Sequence, residues 1–246
     1  MFQNKKIRNI CLCILLTIVV TVGGFGIYVS DYYKADTANI EAFLQGTQVR
    51  TFTDKKVTVY GEEDCENGFI FYQGGKVESK AYEPLMCKIA MQGVLCVVVE
   101  MPFNLAVLNM NGADGICERY ESVTNWYIGG HSLGGAMASC YVAKNAEDFE
   151  GLILLGAYSS EDLSKTNLRV LSLYGSEDKV LNKEKYDEYK PNLPFETAEI
   201  VIQGGCHAYF GMYGEQKGDG TPTITAEEQI GKTSTYIVEF MNEGEN

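Results

Sequence analysis

The strongest constraint in this chain is Tyr127-Ile128-Gly129-Gly130-His131-Ser132-Leu133-Gly134-Gly135. Gly130, Ser132 and Gly134 satisfy G-x-S-x-G, the pattern of a turn at which a strand ends and a helix begins. The serine at the tip of such a turn takes a strained backbone conformation, and its hydroxyl projects above the sheet. The positions two before and two after it must be small, or the turn cannot close. Residues 125–128 read as the end of an apolar strand and 133–144 as a helix with few breakers, so the flanks suit the device. A chain built this way needs a sheet to feed the turn and a helix to pack back on it.

The rest of the chain supplies both. Residues 49–53 and Val57–Tyr60 alternate apolar and polar side chains around Asp54-Lys55-Lys56, which predicts an antiparallel opening hairpin. Residues 68–72 (GFIFY) form a short apolar strand closed by Gln73-Gly74-Gly75, and 81–91 follow as a helix with Pro84 in its first turns. Val94–Val99 (VLCVVV) is the most apolar strand, suited to the buried centre of a parallel sheet. A helix is expected within 113–122. Strands at Gly151–Leu155, 168–174 and 198–202 alternate with helices at Lys183–Tyr189 and 226–241. The alternation predicts an α/β fold with a mostly parallel, doubly wound sheet. The 246 residues suffice for one such domain with a substantial core.

A serine hydroxyl is a weak nucleophile and needs a base. Of the two histidines, His131 is held inside the turn and is expected to pack beneath it. His207, in Gly204-Gly205-Cys206-His207 just past the last strand, is the base candidate, because site residues collect at strand ends in open α/β sheets. Asp178, after the strand ending at Tyr174, is the candidate that orients it, with Glu177 as the neighbouring competitor. The order Ser132, Asp178, His207 is that of the α/β-hydrolases. The developing oxyanion needs donors: the N–H of Leu133 is one, and Gly75, with Gly74 beside it, supplies the other. No spacing of His and Cys suggests a metal site, and the chemistry requires no metal or organic cofactor.

Four segments carry a specific resemblance: Phe71-Tyr72-Gln73-Gly74-Gly75-Lys76-Val77-Glu78, Met101-Pro102-Phe103-Asn104-Leu105-Ala106-Val107, Gly130-His131-Ser132-Leu133-Gly134-Gly135-Ala136-Met137, and Gly204-Gly205-x-His207-Ala208-x-Phe210-Gly211. With the tail Tyr213-Gly214-x-Gln216-x-Gly218-Asp219-Gly220, they resemble a bacterial α/β-hydrolase family related to the dienelactone-hydrolase-like group, over residues 57–241. The resemblance implies an α/β-hydrolase fold, Ser132, Asp178 and His207 as triad, and the Gly74-Gly75 turn as oxyanion loop. Gln73 stands where the family is expected to carry proline, and Cys206 where a polar residue is more usual. The 12 residues between the strands at Gly151–Leu155 and 168–174 leave no room for a lid domain. An open site is expected, covered at most by the loops 101–111 and 207–221 and lined by Phe103, Phe210 and Tyr213.

Residues 9–30 carry no charge and suffice to cross a bilayer, which takes about 20 helical residues. Lys5, Lys6 and Arg8 precede them and Asp31 follows, so the positive flank is expected to stay cytoplasmic. A cleaved signal peptide is the rival reading, although its apolar core is usually shorter. The expected organisation is a cytoplasmic end (1–8), a signal anchor (9–30), a polar linker (31–48) with one short helical piece at 37–44, and a hydrolase domain (49–246) outside the cell membrane. Net charge of -13 disfavours nucleic acid or an anionic membrane surface as a partner of the folded part and gives no oligomeric state. An exported domain permits disulfides, with Cys65, Cys87 and Cys117 the candidates. The expected activity is serine hydrolysis of a small ester-type substrate through an acyl-enzyme. A thioesterase, amidase or acyltransferase would use the same parts, and a non-catalytic binding protein on the same scaffold is the alternative from another class.

Overall fold

The computed structural model describes residues 2–243, with side chains from residue 9 onward. The basic flank of residues 1–8, expected to be cytoplasmic, lies outside the described side chains. The chain divides into two compact units, Met1–Tyr32 and Tyr33–Asn246. The first is a single helix, α1 (Phe2–Ser30). Its stretch Asn9–Ser30 is long and apolar enough to cross a membrane. At 1.5 Å per residue it spans about 33 Å, against about 30 Å of hydrocarbon.

The second unit is one eight-stranded sheet: β1 (Thr51–Asp54), β2 (Val57–Tyr60), β3 (Asn67–Tyr72), β4 (Val94–Val99), β5 (Asn125–His131), β6 (Gly151–Leu155), β7 (Arg169–Gly175) and β8 (Thr197–Ile202). Its order is β1-β2-β4-β3-β5-β6-β7-β8. Strands β1 and β2 form the expected hairpin, β2 pairs antiparallel with β4, and every pairing from β4 to β8 is parallel. The most apolar strand, β4, is buried on both faces, yet it stands third from the edge, where antiparallel meets parallel pairing. The centre belongs to β3 and β5. All six parallel strands point the same way, so their following loops meet along one edge.

Strand alternation divides the core in two. Phe69 and Phe71 of β3 face α3 (Glu83–Ala90) and α6 (Ala226–Asn242), in a cluster with Leu85, Ile89, Ile237 and Met241. Ile70 and Tyr72 face the other way, with Leu152, Leu154, Ala138 and Val142, the last two from α4 (Leu133–Val142). A capping box of Thr225 and Glu228 starts α6, which satisfies two of its exposed amide groups reciprocally.

Two expectations need correction. Residues 33–48 are part of the folded body: α2 (Thr37–Phe43) buries Ile40 in the core, and Tyr33 pairs with the β3–α3 loop. Residues 113–122 hold only the short 3-10 turn Cys117–Arg119. Their apolar side chains Ala113, Ile116 and Tyr120 are buried at near-helical spacing, but Gly115, at φ 70°, breaks the helix between them. All eight cysteines are free thiols, including Cys65, Cys87 and Cys117. The region 156–168 between β6 and β7 carries no helix and no lid.

Candidate active site

The loops that follow β3, β4, β5, β6, β7 and β8 bring Gly74-Gly75, 101–112, Ser132, Gly156, Asp178 and His207 to the same sheet edge. Ser132 sits between β5 and α4 at φ 52°, ψ −121°, a conformation L-residues avoid. Its N–H donates to the Leu155 carbonyl at 2.9 Å, which ties the turn to β6, and its carbonyl accepts from Ala136 N–H at 3.1 Å to begin α4. The flanking glycines are required by space. A Cβ on Gly130 would stand 2.4 Å from the Tyr72 carbonyl oxygen, and one on Gly134 would stand 2.2 Å from the same atom. Lys76, Phe103 and Asn104 also have positive φ, so non-glycine strain gathers at the ends of β3, β4 and β5.

His207 and Asp178 form a buried pair, with Nδ1 2.8 Å from Oδ2 and both side chains 1% exposed. The other carboxylate oxygen, Oδ1, accepts from the N–H groups of Val180 (2.9 Å) and Leu181 (2.8 Å). Those two donors fix the carboxylate and leave Oδ2 for the imidazole. Glu177, the competing acid, accepts instead from the Ser176 hydroxyl. Among the described residues, His207 Nε2 is buried without a hydrogen-bond partner. His207 lines a cleft of about 260 Å³ with Ser132 and Leu133, walled by Ala136, Ala157, Tyr158, Val180 and Leu181. The cleft is therefore largely apolar.

Several supporting groups had no role assigned to them from the sequence. Gly156, at φ 53°, lets the chain pass the pair: a Cβ there would stand 2.9 Å from His207 Nδ1. Asp219, in the tail motif, accepts from Ala208 N–H (2.9 Å) and Lys179 N–H (3.3 Å), so one carboxylate joins the loops of His207 and Asp178. Gln229 of α6 clamps Cys206 through both its backbone groups. Cys206 itself is inert: burial and the charge of Asp219 push its thiol up to about 12.

His131 packs beneath the turn as expected, its ring 4.5 Å from that of His207 and 5.5 Å from Phe210. Tyr82 links it to the β3 loop. The Gly74 N–H donates to the Tyr82 hydroxyl at 3.0 Å, and that hydroxyl lies 2.8 Å from His131 Nδ1. If the hydroxyl proton is to be used, Nδ1 accepts it and the ring is neutral. Burial, and then the nearby His207, push the His131 pKa well below its usual value, in the same direction. The Gly74 amide is thereby engaged, which leaves Gly75 and Leu133 as the oxyanion candidates; the Leu133 side chain lies directly against Gly75. Phe210 and Tyr213, expected to line the cleft, are instead core residues, and Phe103 is 57% exposed on the β4 loop.

Gln73, at the proline position, joins two loops. Its Nε2 donates to the Val77 carbonyl and to Asn104 Oδ1, both at 2.8 Å, and beside it Lys76 N–H donates to the Asn104 carbonyl at 2.7 Å. The strained residues at the ends of β3 and β4 thus brace each other. Among the described residues no group of three His, Cys, Asp or Glu side chains is placed to hold a metal ion.

The model of the alpha/beta hydrolase family matches residues 68–231, a span that runs from β3 into α6. Two solved structures share the architecture. A predicted CIB-like hydrolase from Thermoplasma acidophilum is 15% identical with a TM-score of 0.55, over 77% of this chain and 97% of that one. Est1E from Butyrivibrio proteoclasticus is 14% identical with a TM-score of 0.56, over 79% of this chain and 99% of that one. At these identities the likeness is one of fold. No curated protein sequence matches the chain.

Proposed function

Because this chain belongs to the alpha/beta hydrolase family, we propose that it is a membrane-anchored serine hydrolase that cleaves carboxylic esters through an acyl-enzyme. One observation supports this above the rest: a buried His207–Asp178 pair, with His207 Nε2 unpartnered, lines the same cleft as a serine held at positive φ. Asp178 holds the proton on Nδ1, which makes Nε2 the acceptor. His207 takes the Ser132 hydroxyl proton as Oγ attacks the substrate carbonyl. The N–H groups of Gly75 and Leu133 receive the oxyanion. As the tetrahedral species collapses, His207 returns the proton to the leaving alkoxide and the ester bond breaks. Water, activated by the same nitrogen, then releases the acid and restores Ser132.

The neutral state of His131 serves this cycle. His207 becomes cationic in each half-reaction, and a second charge 4.5 Å away would oppose it. The apolar walls of the cleft suit an acyl chain better than a charged group. The helix α1 acts as a retained span, its basic flank cytoplasmic and the catalytic unit outside.

Labelling by a serine-directed fluorophosphonate, alongside hydrolysis of p-nitrophenyl esters, tests the proposal. Wild type should label and turn over; Ser132→Ala and His207→Ala should do neither. A folded wild type that neither labels nor turns over would overturn the catalytic reading in favour of a binding protein on a hydrolase scaffold.

A further inference from the structure

The segment between Glu100 and Asp114 has no ionisable residue, in a chain of net charge -13. It lies on the surface after β4, and four of its apolar side chains are exposed: Phe103 (57%), Val107 (49%), Leu108 (48%) and Met110 (38%). These side chains are carried on a braced platform. The Tyr72 hydroxyl donates to the Met110 carbonyl and accepts from Ala113 N–H, Gln73 and Lys76 hold Asn104, and the turn Ala106–Leu108 packs on α4. A rigid apolar rim facing water is unfavourable unless something covers it.

The chain itself says what does. Helix α1 ends at Ser30, and the folded body begins at Tyr33. Three residues span at most about 10 Å. Tyr33 is fixed at its entry: its N–H donates to the Lys76 carbonyl at 2.7 Å, its carbonyl accepts from Glu78 N–H at 3.0 Å, and its ring lies 5.6 Å from that of Tyr213. The chain therefore enters the body at the loop that carries Gly75, and that loop is hydrogen-bonded to the apolar segment. If α1 spans the bilayer, Tyr33 follows the end of the span by only three residues of chain.

We infer that the 101–113 segment rests in the interfacial layer of the bilayer, and that the substrate is an apolar ester dissolved in the membrane, which reaches Ser132 across this rim. The inference rests on the reading of Ser132 as nucleophile and of α1 as a span. It explains why the rim is uncharged while the rest of the surface is acidic: side chains such as Val107, Leu108 and Met110 partition into the interface, whereas carboxylates do not.

The test uses the full chain, with α1 intact, reconstituted in phosphatidylcholine vesicles. One arm reads position. Tryptophan is introduced as Leu108→Trp or, as a control, as Phe195→Trp, which is fully exposed just before β8 at the opposite end of the strands. Brominated phosphatidylcholine should quench the first and spare the second, above the constant signal of buried Trp126. The other arm reads function. The triple variant Val107→Ser, Leu108→Ser, Met110→Ser should hydrolyse a bilayer-dissolved long-chain ester about tenfold more slowly or worse. It should hydrolyse water-soluble p-nitrophenyl acetate at the wild-type rate.

Equal quenching at both positions, or none at Leu108→Trp, would overturn the inference, as would equal losses on both substrates. A blue shift of Leu108→Trp that grows with protein concentration, without bromine quenching, would also overturn it and assign the rim to a second copy. A wild type inactive on both esters would instead remove the catalytic reading, while the quenching arm still reports where the rim lies.

Discussion

Replacing Asp178 by asparagine separates orientation from charge in the His207 pair. The Asp178 carboxylate has three neighbours: the N–H groups of Val180 and Leu181 at Oδ1, and His207 Nδ1 at Oδ2. An amide can satisfy only one side as the carboxylate does. If its oxygen stays with Val180 and Leu181, its NH₂ points at Nδ1, which must then accept, and the proton moves to Nε2. The base is lost although the geometry survives. If the amide turns, its NH₂ opposes two backbone donors, each left unsatisfied at about 1–3 kcal/mol. The first arrangement wins, and it places His207 in the wrong tautomer. By analogy with wrong-tautomer substitutions in other serine triads, kcat should fall by about 10⁴, or about 5.4 kcal/mol at 1.36 kcal/mol per tenfold. Fold stability should fall by no more than about 2 kcal/mol, because the Oδ1 bonds persist. Steady-state hydrolysis of p-nitrophenyl acetate measures the first, and urea unfolding the second. Glu177→Gln, on the neighbouring acid, should leave kcat within about twofold of wild type. A loss under tenfold in Asp178→Asn, with the fold intact, would refute the assignment of Asp178 as the orienting acid.

Two other substitutions test the surroundings. His131 is kept neutral in the fold but binds a proton when unfolded below about pH 6.5, so the unfolded state takes up more protons in acid and stability falls as pH drops through that value. Relative to His131→Gln, wild type should lose up to about 1.4 kcal/mol per pH unit between pH 6 and 5 in urea titrations; parallel curves would show that His131 does not titrate on unfolding. Gln73→Leu removes the Gln73–Asn104 bond between the β3 and β4 loops and the Gln73–Val77 bond within the β3 loop. It should lower kcat roughly ten- to hundredfold with KM little changed, since Gly75 loses its brace; a change in KM alone would place Gln73 in ground-state binding instead.

Much of this architecture was legible because single residues had one physical use. Only a buried strand suits VLCVVV, and β4 spans Val94–Val99 as read. Gly130, Ser132 and Gly134 permit one backbone path, and the strand–turn–helix is there. His207 and Asp178 were found as strand-end residues, and the fold brings their side chains together. Other features depended on contacts distant in sequence. Residues 33–48 read as a linker because their polarity hides Ile40, whose partners lie in the core. Phe210 and Tyr213 looked like cleft residues by proximity to His207, yet their rings turn inward. The true walls, Ala136, Ala157, Val180 and Leu181, are ordinary apolar residues that only the third dimension gathers. Gly156 was likewise silent, and Asp219 was visible only as part of the tail motif, since close approach and loop bridging leave no local pattern.

As the proposed nucleophile, Ser132 carries the acyl group during turnover. Acid-quenched mixing with p-nitrophenyl acetate, followed by peptide mass analysis, measures this directly. A burst of p-nitrophenol and one added acetyl group on the peptide containing Ser132 are expected, both absent in Ser132→Ala and His207→Ala. Turnover with acetyl on another residue, or persisting undiminished in Ser132→Ala, would contradict it.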